Sequence, residues 1–271
     1  MSQQNTHSQI IRPAAVAGMF YPDNPTELQT MITEMLTQAQ DLENDINQPV
    51  AVIAPHAGYI YSGPVAATAY RHIGRFHQAI KRVILLGPSH RVPFTGLAMS
   101  SATHFSTPLG LIPVDTASYR KIAEHPAVQL LDAAHAQEHS LEVHLPFLQS
   151  VLDDFSLVPL VVGETSKEDV AEVLELLDLQ ADTLVVVSSD LSHYHDYRTA
   201  QQLDQHTSNA IVHLQPEQIG YEDACGRNPV NGLLTLAKHH HLHVITADLR
   251  NSGDTAGPRD RVVGYGAYLF H

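Results

Sequence analysis

The sequence has one cysteine, no tryptophan and little charge, with Asp, Glu, Lys and Arg making up 16% of its 271 residues. A single thiol cannot close an internal disulfide, which excludes a disulfide-stapled secreted scaffold. Basic residues are scarce, 15 Lys and Arg against 29 Asp and Glu, giving a formal net charge of −14. Without a basic field, neither nucleic acid nor an anionic membrane is an expected partner. No apolar run approaches the roughly 18 residues of a membrane span. The polar start Met1-Ser2-Gln3-Gln4-Asn5-Thr6-His7-Ser8 has no signal-peptide core, so a cytoplasmic location is expected. A hydrophobic fraction of 44% at this length supports a full core and excludes general disorder. What the chain has in excess is histidine, with 19 residues.

Residues 1–10 are polar and lack periodicity, which predicts a loose tail ahead of one domain over 11–271. From Pro25 to Leu42 the residues Leu28, Met31, Ile32, Met35, Leu36, Ala39 and Leu42 follow helical spacing. Four short runs are apolar at nearly every position: Val50–Ala54, Arg82–Gly87, Leu157–Val162 and Thr183–Ser189. Such runs suit strands covered on both faces. Helical patterns lie between them, as at Ser166–Leu179 and Tyr197–Leu214, and two more strand-like runs close the chain at His243–Leu249 and Val262–Phe270. The last alternates, which suits an antiparallel or edge strand. No linker or repeat interrupts the pattern. The expected fold is a single three-layer α/β/α domain with a mostly parallel or mixed central sheet.

The histidines matter by position. His56 follows the first buried run by two residues, His90 follows the second by three, and Asp190 and His193 follow Thr183–Ser189. Open α/β sheets bind ligands outside the carboxyl ends of their strands, so these side chains are expected at one edge. The lone Cys225 precedes Asn228-Pro229, which reads as an N-cap and first helical residue, and a helix N-terminus favours a thiolate. Two imidazoles and a thiolate from His56, His90 and Cys225 suit iron, copper or zinc. Asp190 would be a fourth ligand or orient one, and His193 would serve as general acid or base. Alternatively, Cys225 is an ordinary buried apolar residue.

A second cluster, Glu138-His139-Ser140-Leu141-Glu142-Val143-His144, places His139 and Glu142 on one face if helical. Ser140 as an N-cap with Glu142 in the first turn is the plain structural alternative to a pocket-lining role. Gly58, Gly63, Tyr59 and Tyr61 read as a flexible pocket wall after His56, and His239–His243 as a solvated helix end. No G-x-G-x-x-G, Walker A or G-x-S-x-G motif is present, which counts against nucleotide-binding and α/β-hydrolase functions.

Ala54-Pro55-His56-Ala57-Gly58-Tyr59, Gly87-Pro88-Ser89-His90, Glu138-His139-Ser140-Leu141-Glu142, Ser188-Ser189-Asp190-Leu191-Ser192-His193 and Cys225-Gly226-Arg227 together resemble the Memo family. The opening Arg12-Pro13-Ala14-Ala15-Val16-Ala17-Gly18-Met19-Phe20-Tyr21 fits as well, so the resemblance spans nearly the whole chain. It implies the fold of class III extradiol dioxygenases and a metal site at His56, His90 and Cys225, with Asp190 and His193 beside it. By motif order Cys225 stands where those enzymes carry a ligand glutamate. A thiolate there shifts preference toward copper(I) or zinc, alters iron redox behaviour and counts against ring cleavage. The resemblance further implies association with radical S-adenosylmethionine proteins.

Three functions follow. The first is a metal-dependent redox protein acting on O₂ or a small substrate through iron or copper. The second is a non-enzymatic protein that handles metal or binds a peptide or partner in the same pocket. The third is a metal-free hydrolase with Cys225 as nucleophile, His193 as base and Asp190 as orienter, which leaves His56 and His90 without a role.

Overall fold

A computed structural model describes residues 9–42 and 47–271. Of the expected tail, residues 1–8 lie outside the described residues. The Ile10 carbonyl accepts hydrogen bonds from the backbone N–H groups of Thr103 (2.7 Å) and His104 (3.2 Å).

The centre is a nine-stranded mixed sheet. Its core is four adjacent parallel strands in the order Ala51–Ala54, Thr183–Ser188, Arg82–Pro88 and Ser156–Val162. Beyond Ser156–Val162, strand Leu97–Met99 pairs antiparallel and Val128–Leu130 pairs parallel to that. On the opposite flank, Val262–Phe270 runs antiparallel to Ala51–Ala54 and to both Val244–Asn251 and the short His193–His195. Val262–Phe270 is thus antiparallel, as its alternation predicts, but it is an interior strand with neighbours on both edges. A separate three-stranded sheet joins Ile11–Arg12, His104–Thr107 and Gly110–Pro113.

Every residue of Ala51–Ala54 and Thr183–Ser188 is buried, as is all but the first of Arg82–Pro88 and Ser156–Val162. Strands buried at successive positions need cover on both faces, and helices supply it. Tyr197–Val212 packs on the two antiparallel strands, and Arg227–His239 on Arg82–Pro88 and Thr183–Ser188. Pro25–Gln38 starts where expected, with the Asn24 side chain accepting from the N–H of Thr26 and Glu27 and Pro25 opening the helix.

One segment departs from its sequence reading. Gly58–Gly63 is the start of a helix rather than a loop, though Gly58 and Tyr61 do line the cavity: Tyr59–Ile73 is helical and buried at most positions, against Val244–Asn251 and Val262–Phe270. Its apolar face has no polar complement, so no amphipathic stripe marks it, and Gly63 and Pro64 disguise it further. Among the described residues no helix is long and apolar enough to cross a membrane.

Candidate metal centre

The topology puts three functional loops side by side. Strands Ala51–Ala54, Thr183–Ser188 and Arg82–Pro88 are consecutive in the sheet and parallel, so their carboxyl ends deliver His56, Asp190 and His90 to one edge. Backbone bonds fix these exits. Ser189 N–H donates to the Ala54 carbonyl (3.0 Å), and His56 N–H donates to Asp190 Oδ1 (2.8 Å). A fourth segment, 138–140, reaches the same edge, where Ser140 Oγ donates to the Pro88 carbonyl and Ser188 Oγ donates to the Ser140 carbonyl.

Here three imidazoles meet. One ring nitrogen from each of His56, His90 and His139 lies within 4.8 Å of the other two. The His90 and His139 rings stack with centroids 4.5 Å apart, and His56 meets both edge-on at 5.1 and 5.4 Å. The hydrogen bonds settle which nitrogens are free. Ser188 Oγ spends its proton on Ser140, so at 2.5 Å it accepts from His56 Nδ1–H, which leaves a lone pair on His56 Nε2. His90 Nδ1 lies 2.9 Å from Glu138 Oε1, which leaves its Nε2 free in the same way. The buried Nδ1 of His139 is 3.2 Å from Glu138 Oε1 without the alignment of a hydrogen bond.

Electrostatics disfavour the charged form of His56 and His139. Burial lowers the His56 pKa well below 6.5, helped by the neighbouring His90 and His139. Burial, then His90, lowers His139 to about 4. Burial acts in the opposite sense on Glu138, but the hydrogen bond and charge of His90 and the N–H groups of His90 and Ser140 outweigh it and hold the carboxyl at about 2. Three imidazoles, one oriented by a carboxylate, fit a borderline-soft metal ion.

The expected third ligand, Cys225, adjoins the trio rather than completing it: His139 is the third mutually close donor. Cys225 Sγ lies 3.3 Å from His56 Nε2 and accepts from Asp190 N–H at 3.3 Å. Gly226 permits this approach, since a Cβ there would meet the Ser188 carbonyl oxygen at 2.5 Å. The helix begins at Arg227 with Gly226 as its cap, and Asn228 instead donates to the Gly163 carbonyl. The expected low thiol pKa is also corrected: burial, and then the Asp190 carboxylate, push it upward against the helix dipole. A protonated thiol facing His56 rather than His193 argues against the metal-free nucleophile.

His193 and Asp190 line the same open cavity of about 540 Å³, as do His56, His90, His139 and Cys225. Burial raises the Asp190 carboxyl, partly offset by the His56 N–H and by His193.

Glu142 and Tyr59, the other two expected pocket residues, do not line the cavity. Glu142 is fully buried, pairs with Arg12, and accepts from Ala15 N–H, Val16 N–H and Tyr21 OH. An isolated buried carboxylate is prohibitively unfavourable, so a motif acid that satisfies an arginine and two amides is structural. Tyr59 is buried with its OH donating to the Val143 carbonyl, while Tyr61, Tyr194 and Tyr265 do face the cavity. Glu138, which contacts both His90 and His139, is the site residue to which sequence reasoning assigned no role of its own. Its place beside His139 in sequence was the available signal, since carboxylates commonly orient ligand histidines. The His239–His243 cluster stands at the far end of Arg227–His239, where His240 pairs with Glu175.

Fold and site define an α/β protein with a candidate metal centre at the carboxyl edge of its sheet. The Memo-like protein family matches residues 12–269, and the chain belongs to that family. It is 32% identical to a MEMO1 family protein of Nitrosopumilus maritimus, across 96% of this chain and 100% of the relative. MEMO1 family proteins of Aquifex aeolicus and Ignicoccus hospitalis are 34% and 35% identical, each across 96% of this chain and 99% of the relative.

Proposed function

We infer that this is a metal-dependent redox protein, holding iron or copper through His56, His90 and His139 with the Cys225 sulfur as an adjoining donor. The observation that carries this reading is the trio of imidazoles within 4.8 Å of one another, open to a cavity. A redox-active ion bound there would supply electron transfer and activation of O₂ or a small substrate. Zinc suits the same donors but would supply Lewis acidity alone.

The protein's own groups have separable tasks. Glu138 orients His90, and Ser188 fixes the tautomer of His56. Asp190 ties the His56 loop to the Cys225 loop, through its carboxylate on His56 N–H and its carbonyl on Cys225 N–H. His193 faces the cavity outside the donor set and is the group placed to give or take a proton from a bound substrate.

The test compares metal content and O₂ consumption in wild type, His56→Ala and His193→Ala. The reading expects His56→Ala to lose the metal and His193→Ala to retain it while losing turnover. Metal retained by His56→Ala would overturn the reading, whereas metal lost from His56→Ala with no consumption dependent on His193 would favour metal handling without catalysis.

A further inference from the structure

Two features of the cavity have no part in holding a metal. The first is Arg261, which lines the cavity from the residue just before strand Val262–Phe270. Its guanidinium carbon stands 4.4 Å from the centre of the Tyr194 ring. Among the described residues no carboxylate pairs with it, although the chain has 29 acidic residues for 15 basic ones. Arg259, two residues earlier, is by contrast committed, stacking on Tyr197 at 4.5 Å and donating to the Gly253 carbonyl.

The second feature is Tyr194. It has φ of +65°, a left-handed conformation disfavoured for any residue with a side chain. It also sits at the register shift between His193 and His195, where their strand pairs with Val262 and Val263. A bulge re-aims a side chain, and here the ring lines the cavity next to His193 with Arg261 over it. Phe20, Tyr61, Tyr265, Pro258 and Val263 make the remaining wall mostly apolar.

We propose that the cavity takes a small monocarboxylate, its apolar or aromatic body lying among Phe20, Tyr61, Tyr194 and Tyr265 and its charge met by Arg261. This rests on the reading of the cavity as the functional site. One guanidinium offers one fork, which matches a single carboxylate. A dianion would bring a second charge toward the Asp190 carboxyl with no further arginine lining the cavity. Tyr194 holds the guanidinium in place by cation–π attraction, so the cation is positioned before the ligand arrives.

Calorimetric titration with phenylacetate and 3-phenylpropionate, each against its primary amide, tests this in chelator-treated and metal-loaded protein. The acids should bind at least about tenfold tighter than the amides in both forms. Arg261→Gln should erase that preference and leave metal content unchanged. Tyr194→Ala should weaken acids and amides through the lost wall, and should also shrink the preference for the acid by freeing the guanidinium. Equal binding of acid and amide, no binding by any of the four, or a preference surviving Arg261→Gln overturns the proposal. A preference seen only with metal, and indifferent to Arg261, would assign the carboxylate to the metal and leave the metal reading standing. An Arg261-dependent preference in protein that takes up no metal would do the reverse.

Discussion

The Nδ1 of His90 lies 2.9 Å from Oε1 of Glu138, a carboxylate that also accepts the backbone N–H groups of His90, His139 and Ser140. One buried acid thus fixes both the ring of one candidate ligand and the backbone of another. Glu138→Gln keeps the shape but loses the charge. Metal affinity should fall about 10- to 100-fold, as measured by competition with a chelator under conditions where the variant is folded.

Glu142 makes the contrasting case four residues on. Removing its carboxylate leaves Arg12 buried without its partner, together with two amides and the Tyr21 hydroxyl. Glu142→Ala should destabilise the fold by about 3–5 kcal/mol in urea denaturation. Any loss of metal in that variant should track unfolding.

The Cys225 thiol is half-buried at the cavity wall and its pKa is raised, so metal-free protein should react slowly with iodoacetamide at pH 7.5. Bound copper(II) or iron(III) should give a thiolate-to-metal absorption band that Cys225→Ser removes. Fast alkylation that ignores chelator would instead restore the nucleophile reading.

Two buried histidines outside the centre set the acid limb of stability. Burial lowers His135 to about 4 and His144 to about 3, from an ordinary 6.5. Above pH 6.5 both are neutral in folded and unfolded chains and contribute no pH dependence. Below it the unfolded chain takes up the protons first, so stability falls from pH 6.5 to about 4 for His135 and to about 3 for His144. The slope is about 1.4 kcal/mol per pH unit for each. Urea midpoints across pH 7 to 4.5 should show the fall, and His144→Asn should reduce the slope.

The strands that position the centre were legible because burial on both faces demands unbroken apolar runs, as in Thr183–Ser188. His56, His90, Asp190 and His193 were legible because they follow such runs directly. His139 and Glu138 were harder to assign. They arrive on an irregular segment whose place depends on Ser140 and Ser188 bonding across strand ends, which no local pattern encodes. The motif acid Glu142 misled for a related reason, since its partner Arg12 lies 130 residues away. Burial also reversed the expected thiol acidity, because desolvation at Cys225 outweighs a helix dipole starting two residues later.

The central claim is that one ion is shared by His56, His90 and His139. Elemental analysis of protein carrying no His tag tests it most directly, in wild type and in the three single alanine variants. The account predicts about one iron or copper per chain in wild type, and loss of most of it in each folded variant. Metal content unchanged by both His56→Ala and His90→Ala would contradict it.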